Sequence, residues 1–229
     1  MATTDSTKNG FDTAAAVTRS MLGWGLVAGP FYLVFGMILG LTREGFDFSR
    51  HALSLLMLGD GGWLQVLNLA LTGVMTIVAG WGLRRALTRK GRGAGIAVIV
   101  AGAAMILAAV FEPDPVAGFP DGAAANVTTG GMLHLVAGGL EFVAFAVAGL
   151  LLAPFFAERA NRAAVTWSRL AGVTIVAAFV VGAALSAGPA GVALLWLAVV
   201  SAFSWLFLAS LRVYAVVPHP VIARRSHAP

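Results

Sequence analysis

The sequence predicts an all-α, polytopic membrane protein, a bundle of six transmembrane helices. Hydrophobic residues make up 59% of its 229 residues and charged residues only 11%, against roughly 25% charged in ordinary soluble domains. The mean hydropathy is +0.88. The apolar residues also fall into six runs, each close to the roughly 17–25 residues that cross a bilayer as a helix. Helices are expected because a helix satisfies its own backbone hydrogen bonds in lipid.

The six runs define the domain organisation. The predicted spans cover residues 21–41, 62–81, 94–111, 131–154, 167–188 and 191–214. Residues 1–20 are predicted to be a flexible cytoplasmic N-terminus and residues 215–229 a cytoplasmic tail, with the transmembrane domain at 21–214. The first run is as long as a full span and no small-residue cleavage site follows it, which predicts a retained helix.

Two connections are longer than a hairpin needs. Within 42–61, an apolar stretch at 49–58 is too short to span a membrane. It predicts a short helix at the outer interface, capped by Asp47 or Ser49 and ended by the glycines at 59–62. The segment 112–130 is rich in Pro, Gly, Asp and Asn and has no apolar period, so it is predicted to be a loop.

The basic residues give the orientation. Of the 15, 13 fall at the two termini and in the second–third and fourth–fifth connections, and only Arg43 and Arg50 fall on the other side. This asymmetry predicts cytoplasmic termini. It also explains the net charge of +5 as topology, so nucleic acid is not an expected partner and membrane lipid is. The composition, rich in Ala, Gly and Arg, is typical of a GC-rich bacterium, which places the multi-pass chain in the bacterial cytoplasmic (inner) membrane.

The chain contains no cysteine. Disulfides, thiolate nucleophiles and cysteine-ligated zinc or iron–sulfur centres are therefore excluded.

Glycines repeat on one face of the first span, at Gly25, Gly29, Gly36 and Gly40. Small residues four apart allow a second helix to approach closely. The stripe predicts packing within the bundle, and a homo-oligomer formed through these four residues is the alternative.

The fourth span carries one acidic residue, Glu141. It lies about 15 Å along the helix from Gly131, close to mid-membrane. An ionised carboxylate there is costly unless it is paired, protonated or facing water. Asn68, Gln65 and His134 are the candidate partners, and structural, ligand-binding and proton-relay roles are all open.

Polar residues cluster on the predicted outer side. The candidate ligand-binding residues are Arg50, His51, Ser54, Asp60, Asp114, Asp121, His134 and the deeper Glu141. They favour a pocket for a small molecule or lipid headgroup. The alternatives are an interfacial hydrolase, with His51, Asp114 and His134 as weak metal candidates, a proton-coupled carrier that uses Glu141, and hydrogen bonds that merely fasten the loops. No compact metal-binding motif or nucleophile elbow occurs, so no catalytic residue, metal or cofactor is assigned.

The same residues carry a family resemblance. The motifs are RHALS at 50–54, GDGGWLQ at 59–65, FEPDP at 111–115, GFPDG at 118–122 and GMLH at 131–134. In combination they resemble the bacterial domain-of-unknown-function family 998, over about residues 20–215. Glu112 departs from the pattern, where a small residue such as Ala is expected. The resemblance implies an integral membrane protein with functional residues on the outer side, and it implies no reaction.

Overall fold

The computed structural model describes residues 11–87, 89–124 and 126–221, and within them the chain forms six long α-helices. They are α1 (Thr13–Thr42), α2 (Gly62–Ala86), α3 (Arg92–Val110), α4 (Thr129–Glu158), α5 (Arg162–Ala184) and α6 (Pro189–Val216). All six are long and apolar enough to cross a membrane. The predicted fold class, a six-helix multi-pass membrane protein, is confirmed.

The helices form a closed ring. Each packs beside the next one along the chain, α6 packs beside α1, and α6 also contacts α2 and α4. The connections 43–61, 111–128 and 185–188 lie at one end of the bundle, which we call the long-loop end. The start of α1 and the end of α6 lie at the opposite, termini end.

Polar caps begin several of the helices. The side chains of Asp12, Thr128 and Asn161 each accept a hydrogen bond from the backbone N–H three residues later, at 2.9–3.0 Å. Each cap satisfies a donor that the first helical turn leaves open. Pro189 opens α6, where its missing N–H costs nothing.

Several helices extend past their apolar runs at the termini end. α1 starts at Thr13 instead of residue 21, α5 starts at Arg162 instead of 167, and α2 continues to Ala86 instead of 81. Residues 13–20 therefore belong to α1 and not to a flexible terminus, whereas residues 1–10 and 222–229 lie outside the described part. The length of an apolar run reflects the thickness of the bilayer core. The helix itself can be longer, because its backbone hydrogen bonds continue until a capping residue ends it.

The early start of α1 is held by the end of α6. The Asp12 backbone N–H donates to the Pro220 carbonyl at 2.8 Å. The Arg19 guanidinium donates to the Val217 carbonyl at 2.7 Å and lies 3.8 Å from the centre of the Tyr214 ring. These contacts satisfy carbonyls after the last turn of α6 and close the ring at this end.

The predicted short outer helix at 49–58 is a five-residue 3₁₀ helix at Leu53–Met57. Leu53, Leu56 and Met57 are all at most 5% exposed and join the core. The segment therefore packs into the end of the bundle against α1 and α2, and it is shorter than predicted. Four buried residues in five leave it no amphipathic face for lipid headgroups.

Helices α2 and α3 touch through two pairs of glycines. A Cβ added at Gly73 would lie 2.7 Å from the Gly102 carbonyl oxygen, and one added at Gly102 would lie 2.5 Å from that of Gly73. Gly80 and Gly95 form an equivalent pair one heptad away, at 2.8 and 2.7 Å. The two backbones are thus in direct contact, the arrangement that small residues allow in membranes.

Replacing Gly102 by Ala tests this contact. The added methyl group would push α3 away from α2, so Gly102→Ala should lower the free energy of unfolding by about 1–3 kcal/mol. Gly138→Ala is the matched control, because a Cβ there meets no atom within 4 Å, and it should leave stability unchanged or raise it slightly. Thermal unfolding in lipid nanodiscs measures both, and equal effects of the two substitutions would contradict the packing.

Candidate functional site

A cavity of about 270 Å³ occupies the long-loop half of the bundle. It extends from the exposed Arg50 in the first long connection to Glu141 on α4. All six helices or their adjoining segments contribute to its lining, and most of the lining side chains are apolar. Ligand pockets in proteins usually measure about 300–1,000 Å³, so this cavity suits a small molecule.

Five of the eight predicted site residues line this cavity. They are Arg50, Ser54, Asp114, His134 and Glu141. Asp60 and Asp121 are exposed and lie outside it, with the Asp121 carboxylate against the backbone of Gly45. The outer cluster therefore divides into a group around the cavity and a group on the surface.

His51 is buried beside the cavity and does not line it. Its Nδ1 accepts a hydrogen bond from the Asp47 backbone N–H at 3.0 Å, which leaves the proton on Nε2, 3.4 Å from the Ala117 carbonyl oxygen. Its ring packs on Phe46 and Phe119, with centroids 5.4 and 5.2 Å away. His51 thus joins the two long connections. His51 precedes the 3₁₀ helix that carries Ser54.

Asp47 starts the turn that carries His51. Its carboxylate accepts hydrogen bonds from the hydroxyl and the backbone N–H of Ser49, at 2.7 and 2.8 Å. These hydrogen bonds lower the pKa of Asp47 below its ordinary value, with smaller contributions from His51 and Arg50. The ionised Asp47 therefore stabilises the turn.

Asp114 and Thr128 anchor the start of α4. The Asp114 carboxylate accepts from the Thr128 hydroxyl at 2.6 Å and from its backbone N–H at 3.1 Å. The Thr128 hydroxyl accepts in turn from the Gly131 N–H. Gly131 is required here, because a Cβ would overlap the Asp114 carboxylate. A negative charge is also favourable at a helix N-terminus.

The His134 side chain binds carbonyl groups at the C-terminal end of α3. Its Nδ1 lies 2.9 Å from the carbonyl oxygens of both Ala108 and Phe111, so this nitrogen donates and Nε2 is left with its lone pair. The ring lines the cavity beyond the mouth residues. His134 therefore has a structural role through one nitrogen and presents an acceptor through the other.

The predicted metal set and the predicted catalytic set do not assemble. Among the described residues, no three His, Asp or Glu side chains are placed to hold a metal ion. Both ring nitrogens of His51 and the Nδ1 of His134 face backbone groups. No hydrogen bond connects Ser54, His134 and Asp114, as a Ser/His/Asp triad requires.

Glu141 is 7% exposed at the deep end of the cavity. It makes no hydrogen bond or ion pair with the described part of the chain. Two of the predicted partners are bonded elsewhere, since the Asn68 amide donates to the Tyr32 carbonyl and to Gln65 Oε1, both at 3.1 Å, and His134 bonds to α3. The third, Gln65, makes no hydrogen bond to Glu141, and its Nε2 has no acceptor among the described residues. Glu141 is thus a buried carboxyl that faces a cavity without a partner.

Aromatic residues around Glu141 were not predicted as part of the site. The cavity is lined by Tyr32, Phe142, Phe179, Trp196 and Phe203. Phe142 and Phe179 stack with centroids 4.7 Å apart, and Tyr32 lies 5.4 Å from Phe203. Tyr32 is also close enough to Glu141 to interact with it electrostatically. The sequence did not reveal these five residues, because nothing in it distinguishes them from aromatic residues of the core or of the lipid-facing surface.

The glycine stripe of α1 is buried within the chain. Gly25 faces Ser210, Gly29 faces Phe203, Gly36 faces Leu53 and Gly40 faces Phe48. Packing against α6 and the first long connection thus accounts for the spacing. A homo-oligomer through this face stays a prediction.

Removal of the His51 ring should loosen the long-loop end. His51→Ala leaves the Asp47 N–H without its acceptor, so we expect unfolding to be easier by about 1–3 kcal/mol and proteolytic cleavage within 43–61 and 111–128 to be faster. His219→Ala is the control, since exposed His219 only accepts from the nearby Val221 N–H. Limited proteolysis in nanodiscs measures the difference, and equal cleavage rates would refute the role of His51.

The family comparison agrees with the position of these residues. The model of a protein family of unknown function, DUF998, matches residues 26–212, which include the cavity, the anchoring residues of the long connections and Glu141. No curated protein and no solved structure matches the chain. The match extends over most of the sequence, and the chain belongs to the DUF998 family.

Proposed function

We propose that this protein binds a small organic molecule or a lipid headgroup in the cavity of its long-loop half. The observation that carries the proposal is one continuous cavity that joins polar residues at the mouth to a buried, unpartnered Glu141. An apolar pocket with a few convergent polar groups is the usual form of a small-molecule site.

The positions of the polar groups in the cavity indicate the kind of ligand that would fit. Arg50, Ser54 and Asp114 line the mouth, and Glu141 lies deep, seven residues beyond His134, which corresponds to about 10 Å along α4. Between them the lining is mainly aliphatic and aromatic. A ligand with an apolar body and a polar group at one or both ends would match this order.

A proton-coupled carrier is the second candidate, because the cavity reaches the one acidic residue inside a predicted span. Transport would require a second opening. The termini half is instead packed with Phe145, Phe155 and Trp205, each at most 1% exposed, and the Trp205 indole donates to Ser168 at 2.9 Å. Binding needs no such rearrangement, so we place it first. A hydrolase is not proposed, since no triad is assembled.

Filling the cavity tests the binding function. Gly138 lines the cavity, and a Cβ there meets no atom within 4 Å, so Gly138→Leu should occupy the space without disturbing the fold. Native mass spectrometry of the purified full-length protein should show a bound non-protein mass on the wild type and none on Gly138→Leu.

Gly23→Leu is the matched control for this experiment. Gly23 also lies in a helix with no atom within 4 Å of its added Cβ, and it does not line the cavity. It should keep the bound mass. A wild-type protein without any bound mass, or a mass that Gly138→Leu retains, would refute the proposed function.

We also propose that the long-loop end faces the periplasm of a bacterial cell, with the chain in the cytoplasmic membrane. The support is the asymmetry of 13 basic residues against two. A ligand would then enter from outside the cell or from the outer leaflet.

Reporter fusions test this orientation. Fusions after Arg89 and Arg162 should give cytoplasmic signals, and fusions after Asp60 and Asp121 should give periplasmic ones. A periplasmic signal after Arg89 would reverse the orientation and leave the cavity itself unaffected.

A further inference from the structure

We infer that the deep end of the cavity recognises an organic ammonium group, with Glu141 as its counter-ion. The inference rests on the proposed binding function and specifies the class of ligand. Three observations carry it: Glu141 has no partner among the described residues, aromatic residues line the same cavity, and the described lining has no cation at its deep end.

Glu141 lacks every partner that would stabilise it within the described protein. It is 7% exposed and takes part in no hydrogen bond, and the ion pair of Lys90 with Glu158 lies at the opposite end of the bundle. A buried carboxylate in apolar surroundings is stable only when it is protonated or meets a cation. The cavity beside it has room for a cationic ligand.

The aromatic residues favour a cation over a neutral donor. Five aromatic side chains line the cavity together with Glu141, and the pairs Phe142–Phe179 and Tyr32–Phe203 come from four different helices. Aromatic faces attract ammonium groups, and quaternary ammonium ligands are bound in proteins by such residues. Carboxylate and aromatic rings together match an amine with an apolar substituent.

The other charged or titratable groups that line the cavity are few. Tyr32 comes from α1, His134 from α4, and Arg50 and Asp114 from the two long connections at the mouth. The lining residues of α2, α3, α5 and α6 carry no charge. Among the described residues, Arg50 at the mouth is therefore the only lysine or arginine in the lining, and none of the described cations pairs with Glu141.

Binding of an ammonium ligand would exchange one cation for another. When the site is empty, Glu141 holds a proton. The ligand cation displaces this proton, which passes to solvent, and the carboxylate then pairs with the ammonium group. Affinity should therefore rise with pH, by at most about tenfold per pH unit for one linked proton. A quaternary ammonium ligand has no proton of its own to lose, so its pH dependence reports on the protein.

Three probes of equal chain length test the inference: octyltrimethylammonium, octanol and octanoate. Binding to the full-length protein in zwitterionic nanodiscs is followed through the fluorescence of Trp196, which lines the cavity, with Trp196→Phe to identify its signal. Gly138→Leu gives the background of partition into lipid. We expect the ammonium probe to bind most tightly and octanoate least tightly.

Glu141→Gln removes the charge of the side chain and keeps its shape. It should weaken octyltrimethylammonium by a factor of about 10 or more, the effect expected from loss of one charge-assisted interaction, and remove its pH dependence. Octanol should bind as before, which shows that the variant folds and that its cavity is intact.

The possible failures are distinguishable. If octanol and octanoate bind as well as the ammonium probe, or if Glu141→Gln leaves ammonium binding unchanged, the inference is overturned and the proposed binding function stands. Preference for octanoate, lost in Arg50→Gln, would assign recognition to the mouth and also overturn it. If Gly138→Leu removes the signal of no probe, both the inference and the proposed function fail.

Discussion

Hydrogen bonds from side chains to backbone groups hold the long-loop end together, and the cavity exists because of them. A transmembrane helix satisfies its own backbone, whereas connections that fold back against the bundle cannot. His51 joins the two long connections, His134 accommodates carbonyls at the end of α3, and Asp114 with Thr128 begins α4. If these contacts were lost, nothing would keep the mouth of the cavity at its present width.

This arrangement separates two kinds of polar residue that look alike in the sequence. His51, Asp114 and His134 resemble a catalytic or metal-binding set, yet each is bound to a backbone group or to the helix start. The side chains of Arg50, Ser54 and Glu141 line the same cavity and make no hydrogen bond with the described chain. Side chains that contribute little to the fold remain available to a ligand, so the second group is the better candidate for contact with the proposed ligand.

The sequence predicts the six spans from apolar run length and the position of Glu141 along α4 from helix rise. It predicts five residues of the cavity from their common placement on the predicted outer side. Helix ends are harder to predict from the sequence. α1 begins at Thr13 because Asp12 caps it and is itself held by the Pro220 carbonyl, and the second contact is tertiary. The glycine pairs of α2 and α3 require knowledge of which faces meet. The orientation of His51 depends on a turn at Asp47, and the aromatic lining depends on the rotation of four helices, which an evenly apolar sequence does not specify.

The position of Glu141 supports the proposal that this carboxyl binds a ligand. A structural role would give it a partner, and a suitable donor is near: Gln65 Nε2 is buried and has no acceptor. Tyr32 interacts with both side chains, and a hydrogen bond between Gln65 and Glu141 would satisfy two polar groups at once. The fold instead leaves both unmatched and keeps a cavity in front of the carboxyl. Unpaired polar groups in a membrane interior reduce stability, and groups that reduce stability without a structural return concentrate at functional sites. A bound cation would offset this destabilisation at Glu141, which supports the proposed ammonium ligand.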